Sequence, residues 1–193
     1  MNNFTLWFVT GLQHILDING YDHICYVAAL TVLFPVHEWK KLLVLITAFT
    51  AGHSLTLALS VLDIISVPQK VIECFIPVTI MATCFNNVFF TKNPPKRVSI
   101  NYFFALTFGL IHGMGFSYLL KSLLGRQESI IAPLFSFNIG LEAGQLVIVV
   151  CVLLISVILQ HIFKVERKYF VTGVSSIVFL IAASLLIQRI NEF

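Results

Sequence analysis

A chain of 193 residues that is 58% hydrophobic and only 11% charged, with mean hydropathy +0.93, lies outside the range of soluble globular domains. A formal net charge of +3 offers no broad basic surface for nucleic acid, and the apolar runs leave no room for a separate soluble domain. The composition is that of an integral membrane protein: an all-α polytopic helix bundle forming one transmembrane domain over residues 1–193 and facing membrane lipid.

A hydrocarbon core about 30 Å thick needs roughly 20 apolar residues per helix, so the length accommodates about six or seven spans. No Lys or Arg precedes the first apolar run and no small-residue cleavage site follows it, so no removable signal peptide is expected. Apolar runs fall at 4–34, 42–62, 71–91, 99–124, 130–161 and 169–188, separated by the short polar stretches PVHEWKK, SVPQK, TKNPPKR, GRQES and KVERK. The first run is too long for one straight span and contains Asn19-Gly20, which predicts a break there into two half-helices, or a surface helix leading into a span. The expectation is six spans plus a broken or extra N-terminal half-helix. On that count Lys40, Lys41, Lys92, Lys96, Arg97, Lys164, Arg167 and Lys168 lie on one side, against Lys70, Lys121, Arg126 and Arg189 on the other. The excess of basic residues puts the first group inside and both termini outside, in what is expected to be a bacterial cytoplasmic membrane.

The acids are distributed differently. All twelve Lys and Arg fall in or beside loops, yet four of the nine acids, Asp17, Asp22, Glu73 and Glu142, lie within or at the ends of apolar runs, with no evident basic partner. An ionised carboxylate in hydrocarbon costs several kcal/mol unless it is protonated, reaches water or meets a cation. The partners on offer are His14, His23, His53 and His112, a metal ion, or both. His53 and His112 map near mid-membrane, while Glu73, Asn138, Glu142 and Gln145 map to the outer half, the level of the first motif. Spacings i, i+4 and i+7 put Asn138, Glu142 and Gln145 on one helix face, which should look into the bundle. Around His112, Gly109, Gly113 and Gly115 allow close helix approach.

Bland readings exist for single residues. Asn19 with Asp22 fits a capping-box-like helix start, and His53 alone could hydrogen-bond to a neighbouring helix beside Thr50 and Ser54. Asn86 and Asn87 fit the end of a span, and His37 and His161 the interface. Cys25, Cys74, Cys84 and Cys151 lack CxxC spacing and suit packing. Four histidines together with four unpartnered acids instead point to an intramembrane polar site. The expected metal residues are His14, Asp17, Asp22, His23, His53, His112 and Glu142, supported by Glu73, Asn138 and Gln145. Imidazole nitrogen and carboxylate or amide oxygen, without thiolate, disfavour copper(I) and suit Ni(II), Zn(II), Co(II) or Fe(II). Carboxylates that orient the histidines from behind fit the same mixture.

Four stretches, GLQHILDINGYDHICYVAAL, FTAGHSLTLALS, FGLIHGMGFS and FNIGLEAGQ, resemble in order the signature blocks of the HupE/UreJ membrane proteins and cover most of the chain from Gly11 to Gln145. The resemblance implies a secondary permease for nickel, a trade associated with hydrogenase and urease maturation. It also implies that His14, Asp22 and His23 are the first-span metal residues, with His53, His112 and Glu142 at the polar positions of the later blocks. The family pattern is His-x5-Asp-His; here seven residues separate His14 from Asp22, and Asp17 lies among them.

The function expected is uptake of a divalent metal ion, most simply Ni(II) or Zn(II), through a His/carboxylate site in the outer half of the bundle. No ATP-binding motif appears, so a gradient or a partner would drive it. The alternative is an intramembrane zinc-type hydrolase acting on a membrane-embedded substrate, with Glu142 or Asp22 as general base. A non-catalytic membrane scaffold is the third reading. A permease needs a path that continues inward, for which Asn86 and Asn87 are the intramembrane hints.

Overall fold

The computed structural model describes residues 2–90, 98–124 and 130–192. The main elements among them are helices: α1 (Asn3–Leu16), α2 (Asp22–Val32), α3 (Trp39–Val61), α4 (Gln69–Phe90), α5 (Val98–Leu124), α6 (Ile131–Val157) and α7 (Arg167–Asn191). A single 3-10 turn, Val36–Glu38, leads into α3, and a π turn, Ile158–Ile162, ends α6. Five helices, α3 to α7, are long and apolar enough to cross a membrane. Their outward faces carry large apolar side chains, Phe103, Phe135 and Leu180 being more than 60% exposed, as lipid-facing positions require.

The first apolar run breaks where Asn19-Gly20 predicts. Asn2 starts α1 by accepting the Thr5 N–H at 2.8 Å. After Leu16 the chain turns extended at Asp17, whose Oδ1 accepts the Asn19 N–H at 2.9 Å and holds the turn. The capping role considered for Asn19 is not what forms: Tyr21 is the N-cap of α2 and makes no side-chain cap bond. With 14 and 11 residues, α1 and α2 rise only about 21 Å and 17 Å, each short of a hydrocarbon core.

Two intimate helix pairs organise the bundle, α1 with α6 and α3 with α5, while α2 packs on α4, α6 and α7, and α4 on α7. Glycine permits the intimacy. A Cβ on Gly11 would stand 2.0 Å from the Phe137 carbonyl oxygen, and one on Gly109 would stand 2.1 Å from that of Phe49. Backbone therefore lies on backbone in both pairs.

Polar contacts mark the two ends. At one, Lys121 pairs with Asp63, Lys70 Nζ donates to the Glu192 carbonyl, and Arg189 reaches Glu73 at 3.4 Å and Glu192 at 3.1 Å. At the other, Arg167 donates to the Leu33 carbonyl at 2.6 Å and Lys41 meets Glu38 at 2.6 Å. These are called the Arg189 end and the Arg167 end. Lys92, Lys96, Arg97 and Arg126, which enter the charge count above, lie outside the described residues.

Candidate metal centre

His14 closes the last turn of α1 and His23 opens α2, so the turn between α1 and α2 brings residues nine apart in sequence to a ring separation of 4.6 Å. From α3, His53 adds a third ring, 6.1 Å from His14 and 6.0 Å from His23. One donor atom from each of the three lies within 4.8 Å of the other two. His53 is fully buried, His23 nearly so and His14 half-buried. Among the described residues, His14 Nε2, His23 Nε2 and both nitrogens of His53 are buried with no hydrogen-bond partner. A buried unsatisfied polar atom costs about 1–3 kcal/mol, and three imidazoles that each bring one nitrogen to a common spot form the pattern a bound cation would relieve. The donor set is all imidazole, which suits Ni(II), Zn(II) or Co(II).

Asp22 stands behind the triad. Its Oδ1 accepts from the His23 backbone N–H at 2.7 Å and lies 2.9 Å from His23 Nδ1, which leaves Nε2 as the nitrogen directed at the centre. The carboxylate thus fixes the tautomer and the ring plane. Asp22→Asn is expected to keep the fold and weaken Ni(II) binding about 10- to 100-fold, read by titration calorimetry of the purified protein. His112 is fixed in a similar way: its Nδ1 donates to the Phe108 carbonyl at 2.9 Å, and its buried Nε2 has no partner among the described residues. Its ring lies 5.4 Å from that of His23. It sits beside the triad and is not a member of it.

The other expected site residues are placed elsewhere. Asp17 holds the turn after α1 and faces the groove beside His14 rather than joining the triad. Glu142 accepts from Thr47 Oγ1 at 2.7 Å, and Gln145 Oε1 accepts from Thr50 Oγ1 at 2.8 Å, so this face of α6 is tied to α3. Asn138 Oδ1 and Gln145 Nε2 are buried without partners among the described residues. Glu73 has a basic partner after all: its carboxylate takes the Gln69 amide at 2.6 Å and the Arg189 guanidinium at 3.4 Å. Asn87 does not cap α4. It is buried and donates to the Ala29 carbonyl at 2.6 Å, joining α4 to α2. All four cysteines are free thiols.

Sequence reasoning passed over Tyr26. Fully buried, with a hydroxyl that has no partner among the described residues, it lies 5.0 Å from His112 and 4.8 Å from Phe49, ring to ring. A Tyr inside an apolar run reads as packing, and its unsatisfied hydroxyl was the signal available only from the structure.

Cavities flank the histidines. A groove of about 580 Å³ is walled by Gln13, His14, Asp17 and Asn19 on one side and by Phe116 and Leu119 of α5 on the other. A second cavity of about 260 Å³ is lined by Tyr26, Leu30, Thr83, Asn86, Asn87 and Phe108. His14 thus lines the first cavity, and Tyr26, whose ring is tilted against that of His112, lines the second.

A family model described as HupE / UreJ protein matches residues 1–189. No curated protein and no solved structure matches the chain.

Proposed function

The chain belongs to the HupE/UreJ family, and we propose that it is a secondary permease for a divalent metal ion of the nickel type, with Zn(II), Co(II) and Fe(II) as competing cargo. The observation that carries this reading is the triad of His14, His23 and His53, each with a buried nitrogen that has no partner among the described residues, with one cavity opening at His14 and another lined by Tyr26 beside His112. A permease needs a cation station with an approach and an exit. The groove at His14 supplies the approach, and the cavity beneath Tyr26, with Asn86, Asn87 and Thr83 in its wall, supplies the exit. Imidazoles without a directly bound carboxylate suit a site that must also let its cation go.

In this reading α1 and α2 together make one broken crossing, so the bundle crosses six times, and unwound backbone at the break lies at the site, as in other transporters with discontinuous helices. The Arg167 end, with Lys40, Lys41, Lys164 and Lys168, faces the cytoplasm; both termini and the His14 groove face outside. Against the hydrolase alternative, neither proposed base stands free beside the triad, since Asp22 is held on His23 and Glu142 on Thr47.

Two measurements test the reading. Metal analysis after purification without chelator, followed by Ni(II) titration, is expected to give about one saturable site per chain; absence of saturable binding of Ni(II), Zn(II) or Co(II) would remove the proposal. In cells, a cysteine placed at exposed Lys40 on a cysteine-free background is expected to resist an impermeant thiol reagent added outside, while one at Lys70 reacts. The reverse labelling would invert the orientation.

A further inference from the structure

The two glycine-packed helix pairs repeat one another in register. In the first, a Cβ on Gly11 of α1 would meet Phe137 O and Leu141 N of α6, and one on Gly140 would meet Phe8 O and Leu12 N. In the second, a Cβ on Gly109 of α5 would meet Phe49 O and His53 N of α3, and one on Gly52 would meet Leu106 O and Leu110 N. The correspondence is residue for residue: α1 numbers become α5 numbers by adding 98 (109 − 11), and α3 numbers become α6 numbers by adding 88 (140 − 52). Local sequence follows the same rule, Gly11-Leu12-Gln13-His14 matching Gly109-Leu110-Ile111-His112, and Phe49-x-x-Gly52 matching Phe137-x-x-Gly140.

Direction reverses between the pairs. Within each pair the helices run parallel, because contacts advance along both chains together. The α3–α5 pair finishes at the Arg189 end, where Asp63 meets Lys121. The α1–α6 pair runs the other way: α2 continues α1 to the Arg167 end, where Leu33 takes its bond from Arg167. The cavities share one pair of corresponding positions, and each lies between the N-terminal helices and α5. In the groove at His14, Thr10 and His14 of α1 face Phe116, Leu119 and Leu123 of α5; in the cavity beneath Tyr26, Phe104 and Phe108 of α5 face Tyr26 and Leu30 of α2 and Leu33 just after it. Adding 98 to Thr10 gives Phe108.

We propose that the bundle is two inverted repeats, α1–α4 and α5–α7, and that His112 is the inward counterpart of His14. The cation held by His14, His23 and His53 while the groove is open passes to His23, His53 and His112 when the groove shuts and the opposite cavity opens. His112 is placed for this: its free Nε2 is buried, its ring is 5.4 Å from His23, and Tyr26, 5.0 Å away, forms the roof of the exit cavity. Two states of equal construction are what inverted repeats provide, each being the other with the roles of the halves exchanged. The exchange rests on the triad being a divalent-cation site.

The test uses Ni(II) binding to purified full-length protein with Cys25, Cys74, Cys84 and Cys151 replaced. One form carries Gln13→Cys and Leu119→Cys, joined by a bifunctional thiol reagent to shut the groove; another carries Leu30→Cys and Phe104→Cys, joined to shut the opposite cavity. His14→Gln and His112→Gln are made in each. With the cavity beneath Tyr26 shut, His14→Gln is expected to weaken binding at least about tenfold and His112→Gln by less than about threefold. With the groove shut the order reverses. Each variant binds normally in one locked form, which shows that it folds. Unchanged dependence on His14 in both forms, indifference to His112 in both, or loss of Ni(II) binding on shutting the groove would overturn the exchange while leaving the triad intact. No binding to the uncross-linked parent would overturn the triad itself.

Discussion

Gly109→Ala is expected to cost the apoprotein about 3 kcal/mol or more, enough to remove most folded material from detergent extracts. The added methyl would sit 2.1 Å from the Phe49 carbonyl oxygen and 2.9 Å from its carbon, and both belong to backbone that cannot rotate away. Relief requires α3 and α5 to separate along their whole interface, which also carries His53 and His112. In lipid, little hydrophobic force opposes that separation, because packing between backbones is itself what holds the pair. Gly173→Ala is the control: a Cβ there meets nothing within 4 Å, and on a helix the exchange should be neutral or stabilising by up to about 1 kcal/mol. Thermal unfolding followed by size-exclusion chromatography separates the two outcomes. Equal stability of both variants would mean that the α3–α5 contact is looser than described.

His53→Leu is expected to abolish measurable metal binding, a loss of at least about a hundredfold in affinity, or roughly 2.7 kcal/mol. The same change should leave the empty protein as stable as before or more so. Both nitrogens of His53 are buried without a partner, and leucine fills similar volume without those unsatisfied atoms. Opposite signs for binding and stability distinguish a functional histidine from one that ties helices together, since a tying histidine would lose stability on substitution. Calorimetric titration with Ni(II) and thermal unfolding of the apoprotein read the two quantities. A drop of several kcal/mol in apoprotein stability would return His53 to a structural role.

The helical runs were legible because apolar stretches of span length are punctuated by short polar segments, and the break at Asn19-Gly20 because that dipeptide interrupts a run too long for one crossing. The histidines were legible for an energetic reason: an imidazole in hydrocarbon demands an explanation that leucine does not. Partners that arrive from distant helices were not. Glu73 looked unpaired because Arg189, which meets it, lies at the far end of α7. Glu142 looked unpartnered because nothing in its own helix reveals Thr47. Asp17 and Asp22 lie five residues apart and read alike, yet one holds a turn and the other orients His23, a division made by the direction of the chain at the break. The glycines were read as permitting close packing; which helix each one meets, and that the two pairs share one register, needed the fold.

Metal flux in sealed vesicles tests the central claim most directly. Wild-type protein and His53→Leu are reconstituted side by side around a trapped metal-sensitive dye, and Ni(II), Zn(II), Co(II) or Fe(II) is added outside under imposed proton or ion gradients. A permease working through the triad gives saturable uptake by the wild type and background uptake by His53→Leu. Tight stoichiometric binding by the wild type with no flux of any of these ions under any gradient would contradict transport and leave the triad as the metal centre of an intramembrane enzyme.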